Sequence, residues 1–379
     1  MSKSKEKKTA RPILVRKIAA AAMSNTAAAV LLIAAAVSIF LFRDSIAGLI
    51  SAGGGKDDKG TPWAFEGGSA QVFAPAGNGL AAASSTGLQI LDASGYTVVR
   101  HICSLKTPAL AASDKHVAAF DIGGTVLRVA DFEGNVTNMD TNGTIIAVTM
   151  NDSGFMAVTT TETGYKGLVT VYNPALEPIY EWYSGKGYPL VARVSPDGRS
   201  MAALTADGDG GHVRIYSLSD KTEKGSFAAP GELLVDLGWM DSGRICAISE
   251  TRAVFLEDTG EMVGAYDFGG MYLTDYSFGG SGFLTLGLSK YLSASADTIV
   301  TVGDKGELLG STEPDSALKY LSASGKQVLA LYTDELAVYS QAMNRSGGIE
   351  DVQSLKKALL RPKGDIILIF TASAQIEGL

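Results

Sequence analysis

The side chains able to do chemistry in this chain are scattered. Three histidines (His101, His116, His212) and two cysteines (Cys103, Cys246) match no metal-ligand spacing. None of the histidines has a nucleophile elbow nearby. Asp207-Gly208-Asp209-Gly210-Gly211 opens like a calcium loop, but such a loop closes on a bidentate Glu at its twelfth position. Counted from Asp207, that position is Leu218, so the stretch reads as a polar loop between strands. Acids are plentiful, and glycoside hydrolysis needs only two carboxylates that meet in space; no pair is singled out. No catalytic residue, metal or cofactor is therefore assigned. The one concentrated group is aromatic: Tyr180, Trp182, Tyr183 and Tyr188, around Ser184-Gly185-Lys186-Gly187. Aromatics on a sheet pack well between layers. Held by a Gly-containing loop they can also form a platform for a protein or glycan. In that second reading Trp182, Tyr183, Lys186 and Tyr188 make the contact.

The elements that must position this group are short strands in a repeat. The clearest unit is VARVSPDGRSMAAL at 191–204. An alternating strand runs into Ser195-Pro196-Asp197-Gly198 and a second strand leaves it. Pro presets φ, Asp bonds its own backbone and Gly takes positive φ, so the unit is a hairpin. The same first turn recurs at Gly79, Lys115, Gly154, Gly198, Gly243, Gly282, Gly325 and Gly364. A second landmark, the end of a third strand, recurs as LQILD (88–92), LRVAD (127–131), VTVYN (169–173), VRIYS (213–217), AVFLE (253–257), IVTVG (299–303), LAVYS (336–340) and SAQIE (373–377). Both series span 285 residues over seven intervals. A period of about 41 residues built from short strands means propeller blades.

The predicted fold is all-β: an eight-bladed β-propeller with four antiparallel strands per blade. Blade 3 shows all four, at 144–150, 155–161, 167–173 and 178–184. Blade 8 has only 354–360, 365–371 and 373–379 before the chain ends. An open ring would leave bare strand edges. The unassigned piece Pro62-Trp63-Ala64-Phe65-Glu66 is expected to supply the missing fourth strand and close the ring. Blades 1 and 5 then lie opposite each other, which puts Cys103 and Cys246 too far apart for a disulfide.

The N-terminal part is different in kind. Ile18 to Phe42 carries no charge, enough for a helix across a bilayer. Residues 1–43 hold eight Lys or Arg and one acid. Taking that +7 from the whole-chain −8 leaves −15 for residues 44–379. The expected organisation is a basic cytoplasmic tail (1–17), a transmembrane helix (18–43), a Gly-rich tether (44–61) and an extracytoplasmic propeller (62–379), oriented by the basic residues before the helix. Ser45-Ile46-Ala47 leaves signal-peptide cleavage as the alternative. The acidic outer part is a poor nucleic-acid partner, since phosphate binding needs a basic face.

The Ser-Pro-Asp-Gly turn and the strand pattern resemble WD-type and quinoprotein-type propellers. Quinoprotein docking repeats need recurrent Trp, and here there are only Trp63, Trp182 and Trp239. The full layout, with its ending LLRPKGDIILIFTASAQIEGL, resembles the membrane-anchored domain-of-unknown-function family 5711. That resemblance implies a single-pass protein of the bacterial cell membrane and assigns no activity. The expected function is a protein-binding or scaffolding module, with a protein or cell-wall partner on the propeller. The alternative is an extracytoplasmic enzyme or sugar-binding sensor working through the central funnel.

Overall fold

The computed structural model describes residues 63–67, 70–361 and 364–378. Eight antiparallel meanders follow one another along the chain: blade 1 at 72–102, blade 2 at 108–138, blade 3 at 145–184, blade 4 at 188–230, blade 5 at 234–267, blade 6 at 272–312, blade 7 at 318–350 and blade 8 at 357–377. Each of the first seven is a four-stranded antiparallel sheet in sequence order; blade 8 has three strands of its own. The eight-bladed, four-stranded architecture is as the repeat predicts. Residues 1–62, with the expected tail, membrane helix and tether, lie outside the described residues. No helix among the described residues is long and apolar enough to cross a membrane.

Burial follows position in the blade. Second strands are buried along all or nearly all of their length, as in Gly79–Ser84, Ser200–Ala206 and Phe283–Ser289, because a blade is covered on both faces by its neighbours. This is why they read as unbroken Ala, Leu and Val with little alternation. Fourth strands alternate between exposed and half-buried, as in Met262–Asp267 and Arg345–Glu350.

The turns joining strands 1 to 2 and 3 to 4 share one rim, here termed lower. Those joining strand 2 to 3, and each blade to the next, form the upper rim. The lower 1–2 turns carry their Gly at positive φ in blades 3 to 8, from Gly154 to Gly364. Blade 1 departs from expectation: Gly77 takes the left-handed conformation, and Gly79 is already the first residue of the second strand. The two glycines are two residues apart, so spacing alone could not choose between them.

A second lower turn, between strands 3 and 4, is equally regular. Its first residue is often an Asp or Asn whose carboxylate or amide oxygen accepts two backbone N–H groups, as at Asp92, Asp131 and Asn173. A left-handed residue follows at Gly95, Gly134, Leu176, Gly260, Gly306 and Met343, and at Lys221 in the longer turn of blade 4. The strand register then slips by one residue, the mark of a hairpin ending in a bulge.

That turn identifies the closing strand. In ordinary blades it packs against the fourth strand of the preceding blade. A β-carbon on Gly260 would lie 2.7 Å from Ser226 N, and one on Gly306 would lie 2.8 Å from Ala265 N. In blade 1 the equivalent Gly95 faces Trp63 N at 2.5 Å. Trp63 therefore occupies the fourth-strand position of blade 8. The sheet agrees: Ala64 bridges Ser373, Ala374 N donates to Trp63 O (2.8 Å) and Phe65 N donates to Ala372 O (3.2 Å). Residues 63–66 close the ring as the sequence leads one to expect. Cys103 and Cys246 are both free thiols, and Cys246 is buried.

Candidate functional site

The aromatic group around residue 184 lies at the upper rim of blades 3 and 4. Two loops meet there because Gly167 and Ser184 are paired across the third and fourth strands of blade 3. Lys166 N donates to Ser184 O (2.8 Å), and Ser184 Oγ donates to Gly187 O (2.7 Å). The 161–166 and 185–187 loops are thus tied into one surface.

The four expected contact residues divide. Neighbouring residues on a strand point to opposite faces, so Trp182 and Tyr183 part company. Trp182 turns into the seam with blade 4 and packs on Tyr216, centroids 5.4 Å apart, beside Tyr180 at 6.0 Å from the same ring. Tyr183 turns outward and meets Tyr165, which the sequence reading left out, at 4.9 Å and 51°. Tyr165 is 53% exposed and Tyr183 is 42% exposed. The Tyr183 hydroxyl donates to Glu181 Oε2 (3.0 Å). That bond, with slight burial and the charges of Glu181 and Glu162, raises the phenol above its ordinary range. Tyr188 is half-buried under Lys166, whose Nζ sits 4.8 Å from the ring centroid and donates to the Tyr188 hydroxyl (3.3 Å). Lys186 is exposed at the turn. The surface that results is Tyr165, Tyr183, Lys186 and the Lys166–Tyr188 pair, with Trp182 beneath it.

A different polar group joins the inner strands of blades 4, 5 and 6. Arg193 Nη2 pairs with Asp236 Oδ2 at 3.1 Å, and Asp236 is 1% exposed. The Tyr276 hydroxyl donates to the same oxygen (3.0 Å), while Leu237 N donates to Oδ1 (2.8 Å). Burial, then the nearby Asp236, holds the Tyr276 phenol well above its usual range. Arg193 also lies over the Phe278 ring at 5.7 Å, and Trp239 Nε1 donates to Arg193 O (2.9 Å). Every acceptor of Asp236 is engaged within the protein, so the group braces the ring. At the lower rim Asp152 has its carboxyl raised by burial, then by Asp114 and Asp241. These acids sit in the 1–2 turns of blades 3, 2 and 5.

The loop read as calcium-like is organised by its own hydrogen bonds. Asp209 N donates to Asp207 Oδ1 (2.9 Å), and His212 Nε2 lies 3.1 Å from the same oxygen. Among the described residues no cluster of three or more His, Cys, Asp or Glu is placed to hold a metal.

Fold and rim together define an eight-bladed β-propeller with a built aromatic surface on one edge. Several solved structures are similar to it in fold. A computationally designed protein, Ika8, superposes with a TM-score of 0.61 at 13% identity, covering 84% of this chain and 97% of its own. Sqt1 from Saccharomyces cerevisiae gives 0.59 at 9% identity, covering 85% and 98%. BamB from Moraxella catarrhalis gives 0.54 at 11% identity, covering 80% and 95%. At such identities the likeness is one of fold. Residues 63–346 match the family of unknown function DUF5711, and the chain belongs to that family. No curated protein matches it.

Proposed function

We propose that this chain is a single-pass membrane protein whose extracytoplasmic propeller holds a protein partner on the upper rim of blades 3 and 4. The observation that carries the docking part is the exposed Tyr165–Tyr183 pair. Two large rings face solvent, Tyr183 near the end of a strand and Tyr165 on a loop tied to that strand by a main-chain bond, so little backbone freedom is lost on contact. Tyrosine is also a residue type that dominates interface energy. The anchoring part rests on the uncharged 18–42 run and the basic residues before it. The −15 carried by residues 44–379 favours a partner with a basic surface, chiefly through encounter rate.

The test is site-specific photocrosslinking in native membranes. A photoreactive residue at 183 or 186 should give a discrete adduct that stays in the membrane fraction after a carbonate wash. The same probe at Met262, on the outer strand of blade 5, should not. Equal labelling at all three positions would remove the docking surface. A soluble adduct would remove the anchor.

A further inference from the structure

Blades 6 and 7 part near their outer edge, leaving a cleft of about 480 Å³. Pockets for small molecules span roughly 300–1,000 Å³. One wall is the connection between the blades, with Glu313 and Asp315; the other is blade 7, with Tyr332, Glu335, Tyr339 and Arg345. The floor is unusual. Tyr332 is 2% exposed and Tyr339 is 7% exposed, and their hydroxyls lie 3.1 Å apart. Two hydroxyls carry two protons, and a mutual bond uses one. Among the described residues no acceptor takes the other. Burial, then the bond to Tyr339, raises the Tyr332 phenol, and the hydroxyl proton not used between the two rings is left as a donor to offer.

The walls set the charge. Arg345 forks onto Glu335 through two bonds of 3.2 and 2.5 Å, which cancels one pair. Glu313 and Asp315 are exposed and form no ion pair among the described residues. The cleft thus presents two uncompensated carboxylates at its mouth. Beneath them lie a neutral phenol donor and a guanidinium–carboxylate fork, groups that hydrogen-bond hydroxyls. We propose that this cleft binds a hydroxylated primary amine of amino-sugar size, its ammonium on Glu313 and Asp315 and its hydroxyls on the Tyr332–Tyr339 pair and the Glu335–Arg345 fork. The site is separate from the upper-rim surface of blades 3 and 4 and does not depend on it.

The probe is glucosamine, followed by ligand-observed saturation-transfer NMR on the purified full chain in detergent. Glucose lacks the amine, N-acetylglucosamine lacks its charge, and ethylamine lacks the hydroxyls. Glucosamine should bind about tenfold more tightly than each, the scale of one hydrogen bond to a charged group. The double change Glu313→Gln with Asp315→Asn should erase the preference for glucosamine over glucose. Tyr339→Phe should weaken both by about fivefold. If Tyr339→Phe does not fold, the rim double variant alone decides, since both its positions are exposed. Equal binding of the four probes, binding of ethylamine as tight as glucosamine, or no signal from glucosamine at millimolar concentration would each overturn the proposal.

Discussion

Blade 4 and blade 8 are built on one plan with unequal means. Blade 4 has strands of 7, 7, 8 and 8 residues joined by three turns. Blade 8 has strands of 4, 4 and 4 residues, and its fourth strand comes from the other end of the propeller with no turn to hold it. The compensation is lateral. Phe65 packs edge-on against Phe73 at 5.0 Å. Gln89 of blade 1 accepts from Glu66 N (3.0 Å) and donates to Ala64 O (3.3 Å), and Arg100 pairs with Glu66. Arg361, buried beside Asp365, reaches across to Asn78 O. Where the chain supplies no turn, a blade is held by its neighbour as well as by its own sheet.

The largest effect should come from removing the fourth strand. Deleting residues 1–67 strips Trp63 and Phe65 from their partners and bares the third strand of blade 8. Large aromatic deletions cost about 3–5 kcal/mol each, so denaturant unfolding should show a loss of about 5 kcal/mol. An unchanged midpoint would mean that blade 8 stands without it. The next effect lies on the blade 4 side. Asp236→Ala leaves the half-buried Arg193 without its carboxylate and the Tyr276 hydroxyl without this acceptor, a loss of about 3 kcal/mol. The double change Arg193→Met with Asp236→Leu should recover most of it. If the double variant is as weak as the single one, shape and not charge holds the inner strands. Both comparisons are read from the same urea curves.

The smallest effect is pH-dependent. Glu232, in the connection from blade 4 to blade 5, takes bonds from Ser249 (2.5 Å), Thr251 (2.6 Å) and Arg252 (2.9 Å). Burial opposes its ionisation, but these bonds outweigh it and its carboxyl is lowered from 4.5. A lowered carboxyl adds stability that is complete above its unfolded value and fades as pH falls through the folded one. Glu232→Gln should therefore cost about 1 kcal/mol at pH 7, discounted for the partly open site. It should cost nothing once both states are protonated. A constant penalty across the acid limb would show that packing, not charge, is what the substitution removes.

The repeat was legible because turns demand particular residues, and positive φ at residues such as Gly198 leaves a visible period. The closing strand was legible as the one strand-like piece left over. The aromatic surface was half legible. Composition located it, but nothing in a run such as Tyr180–Tyr183 says which face meets blade 4, and Tyr165 belongs to the surface only through the hairpin register. The inner-strand brace was missed, although its signal is present. Arg193 and Asp236 are 43 residues apart, and Asp236 and Tyr276 are 40 apart. Each step is close to one repeat, so reading the sequence in columns would have set these three residues side by side.

The position of the closing strand also decides how the ring bears load. Everything before residue 63 is attached to the propeller through Trp63, the first residue of the part that lacks a turn. A pull on the N-terminal segment is therefore felt first by two main-chain bonds to blade 8, by the Gly95 carbonyl and by the Phe65–Phe73 contact. The long sheets of blade 4 feel it last. Tension would open the disc at blade 8 while the remaining blades stay folded. The join that a pull on residue 63 loads first is thus the one built without a turn.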